Sequence, residues 1–242
     1  MIRFFSKFPK VVCCFSSQQD GNLSFKYSSQ NVVSNRKKFL QLNNFDLDNL
    51  VCMDQVHGHN VKLVNNENRG AGAVDSNSRI NNCDGLVTSS RRLILGVETA
   101  DCLPVFFFDP VVGVVGAIHA GWRGVVNNIV GNGVDFFQNN FNSAVNNIQV
   151  AIGPHIRQCH FEIKEDVLEN FASYSEFIEQ NNGKYFVSLL GIVKQQLVNG
   201  GISEKNIEIS DICTYCDSDY FCYRRDGQAL QGAMLGLIKL ID

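Results

Sequence analysis

Histidine is scarce in this chain, and neither sign of charge prevails. Five histidines stand among 242 residues, and 21 Lys and Arg against 24 Asp and Glu leave a formal net charge of −3. Nothing composes a large basic face, which excludes duplex DNA binding as the main task. Multi-copper oxidase centres need many more imidazoles than five. No apolar run approaches the roughly 20 residues of a membrane-spanning helix. Val11 to Phe15, behind Arg3, Lys7 and Lys10, is too short for a signal-peptide core and reads as a first strand. No internal repeat and no Pro/Ser-rich linker divides the chain, so residues 1–242 are expected to form one domain.

What is present is globular. Apolar residues make up 45% and include 18 Phe, which excludes a disordered tail, a collagen-like fibre and a coiled coil. A chain of this length buries roughly 70–75% of its unfolded surface, so its core needs no disulfides. The nine cysteines are odd in number and irregular in spacing. They read as free thiols in a reducing cytoplasm, most of them small buried core residues and one a candidate metal ligand.

Three continuous apolar runs mark the centre: Leu93–Val97, Pro104–Phe108 and Val111–Ile118. Unbroken runs predict strands covered on both faces. Asp109-Pro110 predicts a turn that joins the last two as a hairpin. Beyond Gly124, the spacing of Val125, Ile129, Val134, Phe137 and Phe141 predicts a helix. Ile148–Ile152 returns to a strand. Lys164–Tyr174 and Ser188–Val198 are expected as helices; Ile207–Ile212, Tyr220–Tyr223 and Met234–Leu240 as strands. This mixed order predicts an α+β fold, with mixed sheets forming a sandwich flanked by helices.

Chemistry concentrates at strand ends. In the expected hairpin, Cys102 at the start of one strand lies beside His119 at the end of the other. Asp101 and Arg123 share that end, with Gly121 and Gly124 leaving room for backbone to approach a ligand. Two chemistries fit. Cys102 is a thiolate nucleophile with His119 as base and Asp101 as orienting acid, or Cys102 and His119 ligate zinc with a third donor. Either His57 or His59 supplies that donor, since both share a direction if their stretch is extended. Cys213-Thr214-Tyr215-Cys216 has C-x-x-C spacing but no second pair. Cys159 and His160 would point apart in a strand. Arg224-Arg225-Asp226-Gly227 reads as a turn able to present a guanidinium to an anion, and Gly153-Pro154-His155 as a turn beside the same pocket.

Six blocks occur in an order that resembles the laccase-domain family, also called multi-copper polyphenol oxidoreductases and treated as zinc-dependent purine nucleoside phosphorylases. They are Gln55-Val56-His57-Gly58, Asp84-Gly85-Leu86-Val87-Thr88, Thr99 to Pro104, His119 to Gly124, Ala151-Ile152-Gly153-Pro154 through Phe161-Glu162, and Tyr223 to Gly227. The resemblance implies an α/β sandwich with one metal, zinc rather than copper, held by His57, Cys102 and His119. It implies phosphorolysis of adenosine, inosine, guanosine and methylthioadenosine, and deamination of adenosine. Cys102, His119 and Asp101 are then the catalytic residues, with Asp101 as proton carrier. Gln55, Arg123 and Arg225 are expected to bind purine nucleoside and phosphate. Two departures bear on substrate range: a short segment ahead of Asn35-Arg36, and Leu230-Gln231-Gly232 where relatives often carry Thr-Gly-Arg. Three other readings compete: a metal-free Cys–His hydrolase or deamidase, including cell-wall precursor editing; a non-catalytic domain around a structural zinc; and a copper polyphenol oxidase.

Overall fold

The run Val105-Phe106-Phe107-Phe108 feeds two different cores. Phe106 and Phe108 pack with Phe15, Val97, Met234 and Ile238, whereas Val105 and Phe107 pack with Ile129, Val134 and Phe137. Successive side chains of a strand leave opposite faces, so a strand apolar at every position must be covered twice. The computed structural model, which describes residues 1–27 and 30–241, shows what covers it.

One sheet holds β1 (Ile2–Phe4), β2 (Val11–Phe15), β3 (Leu50–Cys52), β6 (Ile94–Thr99) and β14 (Met234–Leu240), in the order β1-β2-β14-β6-β3. The second holds β4 (Val61–Leu63), β5 (Gly85–Thr88), β7 (Leu103–Asp109), β8 (Val114–Ala120), β9 (Gln149–Ile152) and β13 (Ile207–Ile209), in the order β13-β9-β7-β8-β5-β4. The two sheets face each other across the core that contains Phe106. Helix α1 (Val32–Gln41) covers the far side of the first sheet, where Phe39 and Leu40 meet Cys14, Ile94 and Leu235. The next helix, α2 (Trp122–Val126), is short and follows β8. Helices α3 (Ile129–Phe141) and α5 (Leu189–Asn199) cover the far side of the second sheet. The chain is therefore the expected α+β sandwich, layered helix, sheet, sheet, helix. A small third sheet of β10 (Glu162–Ile163), β11 (Ile178–Asn181) and β12 (Lys184–Val187) sits beyond it. Among the described residues, no helix is long and apolar enough to cross a membrane.

Local chemistry moves several predicted boundaries. β8 begins at Val114 rather than Val111, because Asp109 Oδ1 accepts from the amides of Val111 (2.8 Å) and Val112 (3.1 Å) and turns the chain there. The helix expected over Lys164–Tyr174 is only α4 (Glu165–Leu168), continued by a 3-10 stretch, Glu169–Phe177, that kinks at Tyr174. Tyr220–Tyr223 is not a strand. It leads into α6 (Tyr223–Asp226), a single helical turn whose Arg225 N donates to the Cys222 sulfur and whose Arg224 N donates to the Asp101 carboxylate. α5 starts where expected, with the Ser188 side chain accepting from Gly191 N as its cap.

Candidate metal centre

Register builds the site. β7 and β8 are antiparallel with Leu103 opposite Ala120 and Pro104 opposite His119, so Cys102, just before β7, lies next to His119. β5 flanks β8 on the other side, and His119 N donates to the Asp84 carbonyl at 2.7 Å. Three chain segments thus end at one edge of the second sheet.

His57 arrives on a loop that is not extended. Gln55 and His57 both take left-handed backbone, with φ of 56° and 62°, at a cost of about 1–2 kcal/mol each for an L-residue. Two clasps hold this conformation. The Asp84 carboxylate accepts from His57 N (2.9 Å) and Gly58 N (2.7 Å). The Gln55 side-chain amide pairs with both backbone polar groups of Glu98, at 2.6 and 2.8 Å. The reversal separates the two histidines that an extended strand would have aligned: His57 turns inward and His59 is exposed.

One donor atom each from His57, Cys102 and His119 lies within 4.8 Å of the other two, and the imidazole rings stand edge-to-face with centroids 4.9 Å apart. His119 Nδ1 lies 2.8 Å from Asp84 Oδ1. An ionised carboxylate only accepts, so Nδ1 carries the proton and Nε2 is left as the ligand atom. Gly121 completes the cradle: a Cβ there would stand 2.9 Å from His57 Cδ2 and 3.3 Å from Cys102 Sγ. Soft sulfur beside two imidazoles, with an orienting carboxylate behind one of them, is a donor set that fits zinc.

Electrostatics point the same way. Burial pushes the Cys102 thiol up, yet His119 and His57 outweigh it and bring Cys102 down to about 6. Burial also opposes a charged His119, and the facing Cys102 and Asp84 overcome it, raising His119 to about 9. Asp84 is wholly buried but lies below its ordinary value, because burial is outweighed by His119 and the two loop amides. The lowered sulfur suits a cation, which would take the place of the second proton that the metal-free His119 holds.

The trio opens onto a cavity of about 750 Å³ lined also by Asp101, Arg123, Phe161, Tyr223 and Arg224. Asp101 is buried beside Cys102, and its carboxylate accepts from Thr214 Oγ1 (2.6 Å) and Arg224 N (2.7 Å). Arg123 stacks on Trp122, its guanidinium carbon 4.3 Å from the ring centroid. Gln55 lines the cavity while its amide holds Glu98. Arg225 does not reach the cavity: its guanidinium is engaged by Asp226 and by the carbonyls of Thr214 and Tyr220. The arginine that lines the wall is Arg224. His155, expected at the same pocket, is fully buried and held by the Gly153 carbonyl at 2.8 Å. Sequence reasoning gave Asp84 no role and, within the Arg224-Arg225 turn, singled out Arg225. The available signals were a carboxylate directly ahead of an apolar strand and the alternation of neighbours within Arg224-Arg225.

The model of the multi-copper polyphenol oxidoreductase laccase family matches residues 15–241. The chain belongs to this family. A purine nucleoside phosphorylase, YlmD, of Geobacillus stearothermophilus is 33% identical over 213 residues, covering 86% of this chain and 78% of that one. An adenosine deaminase, RL5, from an unknown prokaryotic organism is 32% identical over 189 residues, covering 75% and 72%. The crystal structure of YlmD from Geobacillus stearothermophilus superimposes with a TM-score of 0.92 at 30% identity, covering 98% of this chain and 94% of that one. The family's name refers to copper; in this member the cavity ends on three donors, His57, Cys102 and His119.

Proposed function

We propose that this family member is a purine nucleoside phosphorylase that also deaminates adenosine, at a zinc site formed by His57, Cys102 and His119. The observation that carries the reading is the convergence of those donors, with Asp84 behind them, at the foot of a cavity walled by aromatic and arginine side chains. The names of its relatives support the same activities. Zinc, when bound, supplies a Lewis acid at that point. Three protein donors suit a catalytic zinc; a closed structural site takes four, and His59, which would be the fourth, is exposed.

The chain's own residues do the rest. Arg123 and Arg224 bind phosphate oxygens, taking the roles expected of Arg123 and Arg225. Tyr223 and Phe161 offer faces on which a purine stacks. In phosphorolysis, bound phosphate attacks the anomeric carbon as the bond to the purine nitrogen breaks. In deamination, a water oxygen bonds to purine C6 as the C6–N bond breaks, and Asp101, oriented by Thr214 and Arg224, carries a proton from that water to the departing amine. Adenosine, inosine, guanosine and methylthioadenosine are the proposed substrates, and a reducing cytoplasm, which keeps Cys102 reduced, is the proposed compartment. Cys102→Ala should lose the metal and all nucleoside turnover together, read by elemental analysis beside a nucleoside panel with and without phosphate. Full phosphorolysis by that metal-free variant would overturn the shared site.

The Cys102–His119 pair favours one other reading, a metal-free thiolate hydrolase. Alkylation separates the two. A zinc-held sulfur resists iodoacetamide until a chelator is added, whereas a free nucleophile reacts at once.

A further inference from the structure

A second cluster of donors lies outside the cavity, at the surface. Cys159, His160, Cys213 and Cys216 each bring one ligand atom within 4.8 Å of the other three. Two turns assemble them. His160 N and Phe161 N both donate to the Arg157 carbonyl, at 3.0 and 3.0 Å, and Cys216 N and Asp217 N both donate to the Cys213 carbonyl, at 3.1 and 3.0 Å. The first turn corrects the expectation that Cys159 and His160 point apart, since its backbone is not extended and it brings both side chains to one side. The second is a C-x-x-C turn folded so that its two sulfurs converge.

We propose that these four residues form a second, structural zinc site. Three of the four distances among these donors match a tetrahedron's edges, and the fourth, from His160 Nδ1 to Cys159 Sγ, is shorter. Zn–S near 2.3 Å and Zn–N near 2.0 Å imply S–S edges of about 3.8 Å and S–N edges of about 3.5 Å. Cys159 Sγ lies 3.8 Å from Cys213 Sγ and 3.9 Å from Cys216 Sγ. His160 Nδ1 lies 3.1 Å from Cys159 Sγ and 3.4 Å from Cys216 Sγ. The supporting contacts are also those of a metal site. Arg157 N is directed at Cys213 Sγ at 3.4 Å, and the His160 ring lies on Tyr215, centroids 3.9 Å apart and planes 14° from parallel, which fixes its orientation. Four protein donors close the coordination sphere, in contrast to the three at the cavity, and a closed Cys₃His set is structural.

The location gives the site a task. The first turn lies between Ile156 and Phe161, and both line the cavity. The second turn carries Thr214, whose hydroxyl holds Asp101. Arg224 Nη1 donates to the carbonyls of His160 and Glu162, at 3.3 and 2.7 Å, so the phosphate-binding arginine leans on the same turns. Zinc here staples together one wall of the cavity without touching substrate.

Metal stoichiometry tests the assignment and keeps it separate from the catalytic reading. Protein purified with reductant and zinc should hold two equivalents per chain. Cys216→Ser should hold one, Cys102→Ala should hold one, and the double variant none. Cys216 is exposed, so its substitution leaves the core intact; His160→Gln provides an independent second variant with the same expected loss. In Cys102→Ala loaded with Co(II), an intense thiolate-to-cobalt charge-transfer band should appear, and it should vanish when Cys216→Ser is added. A metal count unchanged by both Cys216→Ser and His160→Gln overturns the proposal, as does a Cys159 disulfide to Cys213 or Cys216 in the zinc-replete wild type.

Discussion

Asp84 does more for the cavity than any residue that faces it. One carboxylate fixes the His119 tautomer and, through two amides, the left-handed backbone that turns His57 inward. Asp84→Asn keeps the size, but its neutral oxygen holds the Nδ1 proton more weakly and its NH2 cannot accept from Gly58 N. It should lower metal affinity about 10–100-fold, measured by competition with a chromophoric chelator, while thermal stability changes far less than affinity. The Cys102–His119 pair makes a pH prediction for the metal-stripped protein. With Cys102 lowered to about 6 and His119 raised to about 9, the thiolate forms above about 6 and the imidazolium persists below about 9. Alkylation of Cys102 by iodoacetamide should therefore rise through pH 6 and be near its plateau by pH 8. A rise delayed until pH 9, the range of an ordinary thiol, would show that the pair does not form. The Cys102–His119 pair was visible along the chain, but the part played by Asp84 was not: it opens one of the motif blocks, and nothing local says that its carboxylate meets His119.

At the level of elements, the buried hairpin was the most legible part. Its apolar runs have no polar face, and that pattern leaves only a strand between two cores. The pairing that puts Cys102 beside His119 followed from the turn at Asp109-Pro110, so half the site could be read before any coordinates. Helix α1 escaped notice because its inward face carries a fully buried arginine, Arg36, where a helical pattern calls for an apolar residue. The aromatic stretch at Tyr220–Tyr223 misled for the opposite reason: it looks like a strand, but the Cys222 sulfur and the Asp101 carboxylate each accept from an amide of a helical turn. Short helix α2 packs directly against the His57 loop. A Cβ on Gly124 would stand 2.7 Å from the Gly58 carbonyl oxygen, and backbone cannot yield as a flexible side chain does. Gly124→Ala should push α2 away from the His57 loop, lowering the thermal midpoint and the metal affinity together. Full metal affinity in a destabilised variant would mean that α2 and the loop are not coupled.

Across the whole molecule, one buried ionic network ties layers together. Arg36 of α1 donates to Glu98 of β6 at 2.5 Å and to the carbonyls of Leu23 (2.8 Å), Gly72 (2.6 Å) and Ala73 (2.9 Å). Arg79 reaches the same Glu98 oxygen at 2.6 Å, and Ser24 Oγ donates to the other. Glu98 also anchors Gln55 through its backbone, so the network continues into the cavity loop. Removing Glu98 leaves two guanidiniums without their shared counter-charge, the wholly buried Arg36 keeping only its carbonyl partners; removing Arg36 leaves Glu98 still paired with Arg79. Glu98→Ala should therefore cost about 3–5 kcal/mol and more than Arg36→Met, measured by urea unfolding. Equal losses would show that the two arginines do not share the burden.

Read along the chain alone, the covered strands, the sandwich, and the residue types able to grip a metal were already settled. Those properties follow from local composition and from the two-residue and 3.6-residue periods that any strand or helix must obey. The resemblance had named His57 over His59, but the backbone reversal that separates them, the reach of Arg224 in place of Arg225, and the convergence of Cys159-His160 with Cys213 and Cys216 waited on the folded molecule. Each depends on a backbone reversal or a turn whose geometry is set by hydrogen bonds from residues far away in the chain, and no local period encodes a partner dozens of positions distant.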